Sequence, residues 1–212
     1  AFIKNLAQVK KAAAITKNNA GLLPKDKADA IVRACDEVIA GKWAEEFIVD
    51  AIQGGAGTSA NMNMNEVIAN RAGELLGCPK GSYKMVHPND HVNMAQSTND
   101  VIPTAGKLTV LDLLAPLEKA LGRLERELAK KAEEFDDVIT MGRTQLQDAV
   151  PIRLGQVFHG YASMVARDRK RIEKAHKEMY TVNLGGTAVG TAINVSDSYF
   201  YKIVPNLEKL TG

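Results

Sequence analysis

The sequence predicts an all-α protein, in which an N-terminal set of helices leads into long helices of a bundle. Apolar residues recur every three or four positions through most of the chain, which is the period of one face of a helix. Alternating apolar and polar runs, the pattern of a half-buried strand, are nearly absent. With 212 residues, of which 45% are apolar and 25% charged, the chain is long enough to bury a sizeable core.

Three helices are predicted in the first half of the chain. The first two cover Ile3–Asn18 and Asp29–Ala40, and Pro24 suits the first turn of the second helix. Asn61 can cap a third helix that ends at Gly77, where a residue of left-handed conformation is expected. The residues Gly81–Asp90 are predicted to form a loop.

Two long helices follow. The first covers Asp100–Phe135, and Pro151 opens the second. Each shows a wide apolar face, and the remaining helices are too few to cover both faces. We therefore expect more protein in the active assembly, either further sequence, other copies of the subunit or both. A last helix is predicted over Ser196–Leu210.

Charge and cysteine content narrow the class of protein. The net charge of +2 is spread among interleaved acidic and basic residues, so no basic stripe indicates nucleic acid as a partner. Cys35 and Cys78 are the only cysteines, which suits a reducing compartment, and we expect a cytoplasmic protein. No apolar run reaches the roughly 20 residues of a membrane span, and the N-terminus lacks the pattern of a secretory signal. No membrane partner is expected.

Three short polar segments carry the chemistry. Each places small hydroxyl and amide side chains beside a glycine or a predicted helix start, and none offers a strong nucleophile or a metal cluster. Hydroxyls, side-chain amides and the free N–H groups of helix N-termini can together hold a carboxylate and the charge that it gains in a reaction. A small dicarboxylate would suit such a site. The segments are Gly54–Asn61, Gln96–Asp100 and Gly142–Asp148.

Each polar segment also has a plain structural interpretation. Glycines before a helix are most often turn and cap residues, and no strand or Gly-Lys-Ser/Thr run accompanies them to indicate a phosphate loop. Hydroxyl and amide side chains before the longest helix could be caps alone. His87 and His91 are better explained by surface or capping roles than by metal binding, since no cysteine or third histidine lies nearby. Taken together, however, the three segments favour an anion site.

Four runs resemble the aspartase/fumarase superfamily in order and spacing, and the resemblance covers nearly the whole chain. It implies a mostly helical homotetramer whose long central helices form one large bundle, with each active site drawing residues from three subunits. It also implies that residues 1–99 form the C-terminal part of an N-terminal helical domain and that residues 100–212 form part of the central bundle. The runs are GGAGTSANMNMNEVIANRAGELL at 54–76, VHPNDHVNMAQSTNDVIPT at 86–104, MGRTQLQDAVPIRLGQ at 141–156 and NLGGTAVGTAIN at 183–194.

Gln145 separates two branches of this superfamily. Class II fumarases carry Gly-Arg-Thr-His-Thr-Gln in this segment, whereas the Gly-Arg-Thr-Gln-Leu-Gln found here is similar to many aspartases. The aspartase branch is therefore favoured, with a class II fumarase as the alternative. Another resemblance points towards fumarases, because the segment around Val86–Asp90 looks like their secondary dicarboxylate site. That site would comprise Lys84, His87, Asn89 and Asp90. A non-catalytic helical scaffold is the alternative of a different class.

The resemblance implies a role for each candidate residue. In the reversible deamination of L-aspartate to fumarate, Thr58, Ser97 and Thr98 would hydrogen-bond the carboxylate that becomes a dianion. The amine and the other carboxylate would be surrounded by Asn99, Thr144 and Gln145. No organic cofactor and no metal are expected.

One part of the superfamily pattern is missing. Its members take their catalytic base from a serine in a flexible loop that reads Gly-Ser-Ser-x-Met-Pro-x-Lys-x-Asn, and no such run occurs here. The start, Ala1–Lys4, also resembles an internal position of the family. The resemblance therefore implies an internal fragment without a catalytic residue of its own, and we expect the isolated chain to be inactive.

Overall fold

The computed structural model describes all residues from 1 to 212. The chain folds into six α-helices, two short strands, one 3₁₀ turn and one π-helical turn, and the prediction of an all-α fold is confirmed apart from a single hairpin. No helix combines the length and the apolar content that crossing a bilayer requires. In chain order the elements are α1 (Phe2–Asn19), α2 (Lys25–Ile39), the 3₁₀ turn (Ala44–Glu46), α3 (Thr58–Leu75), the π turn (Pro88–Val92), α4 (Thr98–Glu134), β1 (Ile139–Thr144), β2 (Gln147–Arg153), α5 (Leu154–Glu178) and α6 (Asp197–Thr211).

The chain folds into two compact units. The first comprises residues 1–109 and 182–212, and the second comprises residues 110–181. The first unit holds the main core, in which α1 is central and packs against α2, α3 and α6. Small residues of α1, including Ala13 and Ala14, are fully buried and allow this close approach. Tyr199, Ile203 and Leu207 supply the buried face of α6.

The helix boundaries of the first unit agree with the predictions to within a few residues, with one correction. Gly77 follows α3 with φ +81°, as expected of a residue that ends a helix in the left-handed conformation. The start of α3 is different, because the helix begins at Thr58 after Gly57 and Asn61 lies within it. Asn61 is therefore not the cap. Its side chain is buried and donates to residues outside α3.

The second unit contains a hairpin that the sequence did not predict. Strands β1 and β2 pair in antiparallel fashion, and Pro151 lies in β2 opposite Met141 instead of opening a helix. The helix α5 begins three residues later, at Leu154. Both strands are edge strands, which tolerate proline, and they are largely exposed, so they have no buried face to impose alternation on the sequence.

A close backbone approach fixes where α5 begins. A Cβ atom at Gly155 would lie 2.8 Å from the Cα atom of Asp136 and would also clash with the carbonyl oxygen of Ala132. The N–H of Gly155 donates to the carbonyl of Phe135 at 2.9 Å. Only glycine fits between α5 and the end of α4 at this point.

The long helices leave large apolar side chains exposed. On α4, Leu113, Leu117 and Leu124 are each about half exposed, at 57%, 45% and 47%. On α5, Tyr161 and Met164 are 50% and 49% exposed. These values agree with the prediction that the apolar faces of the two long helices exceed what this chain can cover.

Candidate functional site

The start of α4 is built as a capping box from Ser97 and Asp100. The Ser97 hydroxyl oxygen accepts from the N–H of Asn99 at 3.2 Å, and the Asp100 carboxylate accepts from the N–H of Ser97 at 2.9 Å. The capping interpretation of Ser97 is therefore correct. Capping does not compete with ligand binding here, because it uses the oxygen of the hydroxyl and leaves its hydrogen able to donate to an anion.

Thr98 is held by a residue of α3. Its Oγ1 accepts from Nδ2 of Asn61 at 3.1 Å. Nearby, a Cβ atom at Gly57 would lie 3.2 Å from a side-chain carbon of Ile102, so the N-terminus of α3 lies beside the first turn of α4. The chain thus brings together two helix starts, whose dipoles each place partial positive charge at this point. Four of the predicted substrate residues lie on these starts: Thr58, Ser97, Thr98 and Asn99.

Asn99 connects the start of α4 to the loop before α6. Its Nδ2 donates to the carbonyl of Ala188 at 2.8 Å, and Nδ2 of Asn183 donates to the carbonyl of Asn99 at 3.0 Å. Since Asn99 is exposed, its side chain can still contact a ligand. The loop therefore forms part of the surroundings of the candidate site.

Asp100 is a structural residue of the site that sequence reasoning did not single out. It is completely buried, and its Oδ2 accepts from the N–H groups of Gly185 at 3.1 Å and Thr187 at 2.9 Å. Together with the bond from Ser97, three backbone donors surround one carboxylate. The Ser-x-x-Asp spacing at 97–100 indicates the capping bond. No local pattern reveals the bonds to residues 85 and 87 positions away.

Two buried lysines of α1 support the segment before α4, and sequence reasoning missed both. Nζ of Lys10 donates to Oδ1 of Asn93 and to Oε1 of Gln96, each at 3.0 Å. Nζ of Lys17 donates to the carbonyls of His91 at 2.6 Å and Val92 at 2.9 Å. The seven-residue spacing of the lysines, which places them on one face of α1 with buried alanines, was the available signal.

Burial shifts the pKa of several groups around these lysines. It lowers the pKa of Lys17 to about 7 and lowers that of Lys10 well below its usual value, with Lys17 adding to the effect on Lys10. Burial also raises the pKa of the Cys35 thiol to about 12, to which the neighbouring carboxylate of Asp36 contributes. The Cys35 thiol is therefore protonated and is not a nucleophile at neutral pH.

Thr144 and Gln145 belong to the second unit, at the tip of the hairpin. Thr144 is the last residue of β1 and pairs with Gln147. Gln145 and Leu146 form the two-residue turn with φ of +52° and +63°. This conformation normally requires Gly or Asn, so the turn holds two side chains under strain. Thr144 and Gln145 are both exposed.

The segment of the possible secondary site is a π turn capped by a histidine. Nδ1 of His87 accepts from the N–H groups of Asn89 at 3.3 Å and Asp90 at 3.2 Å, which confirms a capping role for His87. Lys84, Asn89 and Asp90 are exposed. His91 accepts from the N–H of His87 through Nδ1 at 2.8 Å, and burial lowers its pKa, with the charge of Lys27 adding to this. No group of three or more His, Cys, Asp or Glu side chains is placed to hold a metal ion.

Comparison with known proteins identifies the class of protein. The profile of a lyase family matches residues 2–212, so the chain belongs to this lyase family. The aspartate ammonia-lyase of Bacillus sp. is 54% identical over 211 residues, which cover 100% of the chain and 45% of that protein. The aspartate ammonia-lyase of Escherichia coli K12 is 46% identical over 212 residues, which cover 100% of the chain and 44% of that protein.

Solved structures agree with the sequence matches. The fumarate lyase:delta crystallin of Brucella melitensis superposes with a TM-score of 0.91 at 51% identity, over 100% of this chain and 46% of that one. The class II fumarase of Schistosoma mansoni superposes with a TM-score of 0.89 at 40% identity, over 99% of this chain and 44% of that one. The resemblance to the aspartase/fumarase superfamily is thus confirmed. The chain spans less than half the length of the relatives that it matches.

Proposed function

We propose that the protein is an aspartate ammonia-lyase, which reversibly converts L-aspartate to fumarate and ammonia. Because these residues span less than half of the relatives' length, the proposal concerns a protein of the relatives' full length that contains them, called the full-length protein below. The aspartate ammonia-lyases of Bacillus sp. and E. coli, at 54% and 46% identity, support aspartate over malate as the substrate. The Gln145 motif supports the same choice.

The observation that carries the proposal is the pair of helix starts at Thr58 and Thr98. In the proposed reaction, a base from outside these residues removes a proton from the carbon next to the side-chain carboxylate. The resulting aci-carboxylate carries nearly two negative charges, until the carbon–nitrogen bond breaks and ammonia departs. Neutral hydroxyl donors and helix N-termini stabilise such a dianion without changing their own protonation.

Individual roles follow from this arrangement. Thr58, Ser97 and Thr98 donate to the carboxylate that becomes the dianion, while Asn99 contacts the amine or the other carboxylate. In the assembled enzyme, Thr144 and Gln145 contribute from the hairpin. Strain at Gln145, with φ +52°, supports a functional role, because strained side chains are retained at sites of binding.

The proposal includes the assembly and its setting. The exposed leucines of α4 support a homo-oligomer, which we propose is a tetramer with bundled long helices. Residues 1–99 and 100–212 would belong to its N-terminal helical and central bundle domains.

The compartment that we propose is the cytoplasm, which suits two cysteines that form no disulfide. We also propose a secondary site for a dicarboxylate, formed by Lys84, His87, Asn89 and Asp90. The proposed reaction uses no organic cofactor and no metal.

The substrate assay tests this function directly. We expect the full-length protein to form fumarate from L-aspartate and not from L-malate, when each is offered separately and the absorbance of fumarate is followed. Fumarate from malate alone would instead identify a class II fumarase. A folded, oligomeric protein that forms fumarate from neither substrate would be a scaffold, and the proposal would be rejected.

A further inference from the structure

A chain of hydrogen bonds leads from a buried lysine to a proposed substrate ligand. Lys10 Nζ donates to Asn93 Oδ1 at 3.0 Å, the same oxygen accepts from Asn61 Nδ2 at 3.3 Å, and Asn61 Nδ2 donates to Thr98 Oγ1 at 3.1 Å. Lys10 and Asn61 are 0% and 1% exposed. All four residues belong to the first unit.

The direction of each bond follows from the groups around the amide of Asn93. Its oxygen accepts from Nζ of Lys10 at 3.0 Å, and its Nδ2 lies 3.5 Å from the carbonyl oxygen of Gln96, so the oxygen is the atom that faces Lys10. Since this oxygen also lies 3.3 Å from the amide of Asn61, the amide nitrogen of Asn61 must face it in turn. The second hydrogen of that nitrogen then goes to Thr98. Thr98 is thereby an acceptor towards the protein, and its own hydrogen is left for a ligand.

An unpaired atom indicates that this orientation is imposed on Asn61. Its Oδ1 is buried and has no hydrogen-bond partner. Turning the amide over would place Oδ1 against the oxygen of Asn93, which is already fixed by Lys10. The orientation that directs the nitrogen of Asn61 at Thr98 therefore leaves the oxygen of Asn61 without a hydrogen bond.

We propose that Lys10 is a positioning residue that, through Asn93 and Asn61, fixes the Thr98 hydroxyl as a donor to the substrate carboxylate. This inference rests on the proposed function, because it takes Thr98 as a ligand of the substrate. Lys10 does not touch the substrate. It acts two side chains away, by setting which atom of each amide faces the next residue.

A double-mutant cycle on the full-length protein separates this role from general support of the fold. We expect Lys10→Met to lower kcat about 10- to 100-fold with little change in KM, because a misdirected donor weakens an interaction that matters most in the transition state. In a Thr98→Ala background, the same change should cost almost nothing further. Asn61→Leu, which removes the donor itself, should behave in the same way.

Lys17→Met is the matched control, since Lys17 is equally buried in α1 but donates to backbone carbonyls. Its effect on kcat should be additive with Thr98→Ala. If Lys10→Met and Asn61→Leu are also additive with Thr98→Ala, Lys10 has a structural role only and the inference is wrong.

A crystal structure of the Lys10→Met variant tests the network independently of activity. We expect the contact between Asn61 and Thr98 to be broken or the two side chains to be reoriented. Retention of all the contacts among Asn93, Asn61 and Thr98 would overturn the inference even if the enzyme proves active on aspartate. If the full-length protein is inactive on both dicarboxylates, the proposed function fails, and this structure alone decides whether Lys10 holds the network.

Discussion

Replacing Ser97 or Thr98 by alanine lowers the rate of fumarate formation from aspartate by the full-length protein about 100- to 1000-fold, which is the usual cost of losing one donor to an oxyanion. The hydroxyl oxygens of both residues already accept bonds from the protein, so each hydrogen is available to a carboxylate. The charge of that carboxylate grows as the reaction proceeds, and the loss should therefore appear in kcat more than in KM.

Two control variants show whether the loss of rate comes from the missing hydroxyl groups. Lys119→Ala removes an exposed side chain of α4 and should leave the rate nearly unchanged. Thr98→Val preserves the shape of the side chain, so its effect isolates the hydroxyl from packing. Rates for Ser97→Ala and Thr98→Ala that match the rate for Lys119→Ala would remove both residues from the proposed site.

Asp100→Ala should destabilise the fold by more than about 4 kcal/mol, a size that the loss of a buried hydrogen-bond network can reach. The substitution leaves the N–H groups of Gly185 and Thr187 buried without their acceptor, and a hydrogen bond to a charged group contributes about 1.5–3 kcal/mol. It also breaks the capping box at Ser97. Thr187 is held at φ +57°, a strained conformation that Asp100 helps to maintain.

Urea unfolding followed by circular dichroism measures this effect. Asp29→Ala is the control, because Asp29 is an exposed aspartate paired with Lys25 one helical turn away, and such surface pairs contribute little. Asp100→Asn should fall between the two, since the amide keeps one acceptor oxygen. An unfolding midpoint for Asp100→Ala equal to that for Asp29→Ala would contradict the structural role of Asp100.

The helices and helix ends that the sequence predicts correctly are those marked by a local signal, within the element itself or next to it. The apolar spacing of α1 and the glycine after α3 are local signals, and the structure agrees with both. The hairpin at 139–153 lacks such signals, because its turn uses Gln145 and Leu146 instead of Asn-Gly and its strands are exposed. The prediction that Pro151 opens a helix is consequently wrong.

The same distinction holds for the candidate site. Ser97, Thr98 and Asn99 could be found because hydroxyl and amide side chains cluster before a long helix. For Lys10 and Asp100 the local patterns do not reveal the partners that matter to the site, since Asn93 and Gly185 lie more than 80 residues away in the chain and charged side chains are normally exposed. Their roles depend on how the helices of the first unit pack.

A crystal structure of the full-length protein with bound succinate, a dicarboxylate that cannot eliminate ammonia, is the most direct test of the proposed site. One carboxylate of succinate should lie within about 3.2 Å of the hydroxyls of Ser97 and Thr98, at the paired starts of α3 and α4. Succinate bound elsewhere, with neither hydroxyl in contact with a carboxylate, would show that these two helix starts do not hold the substrate.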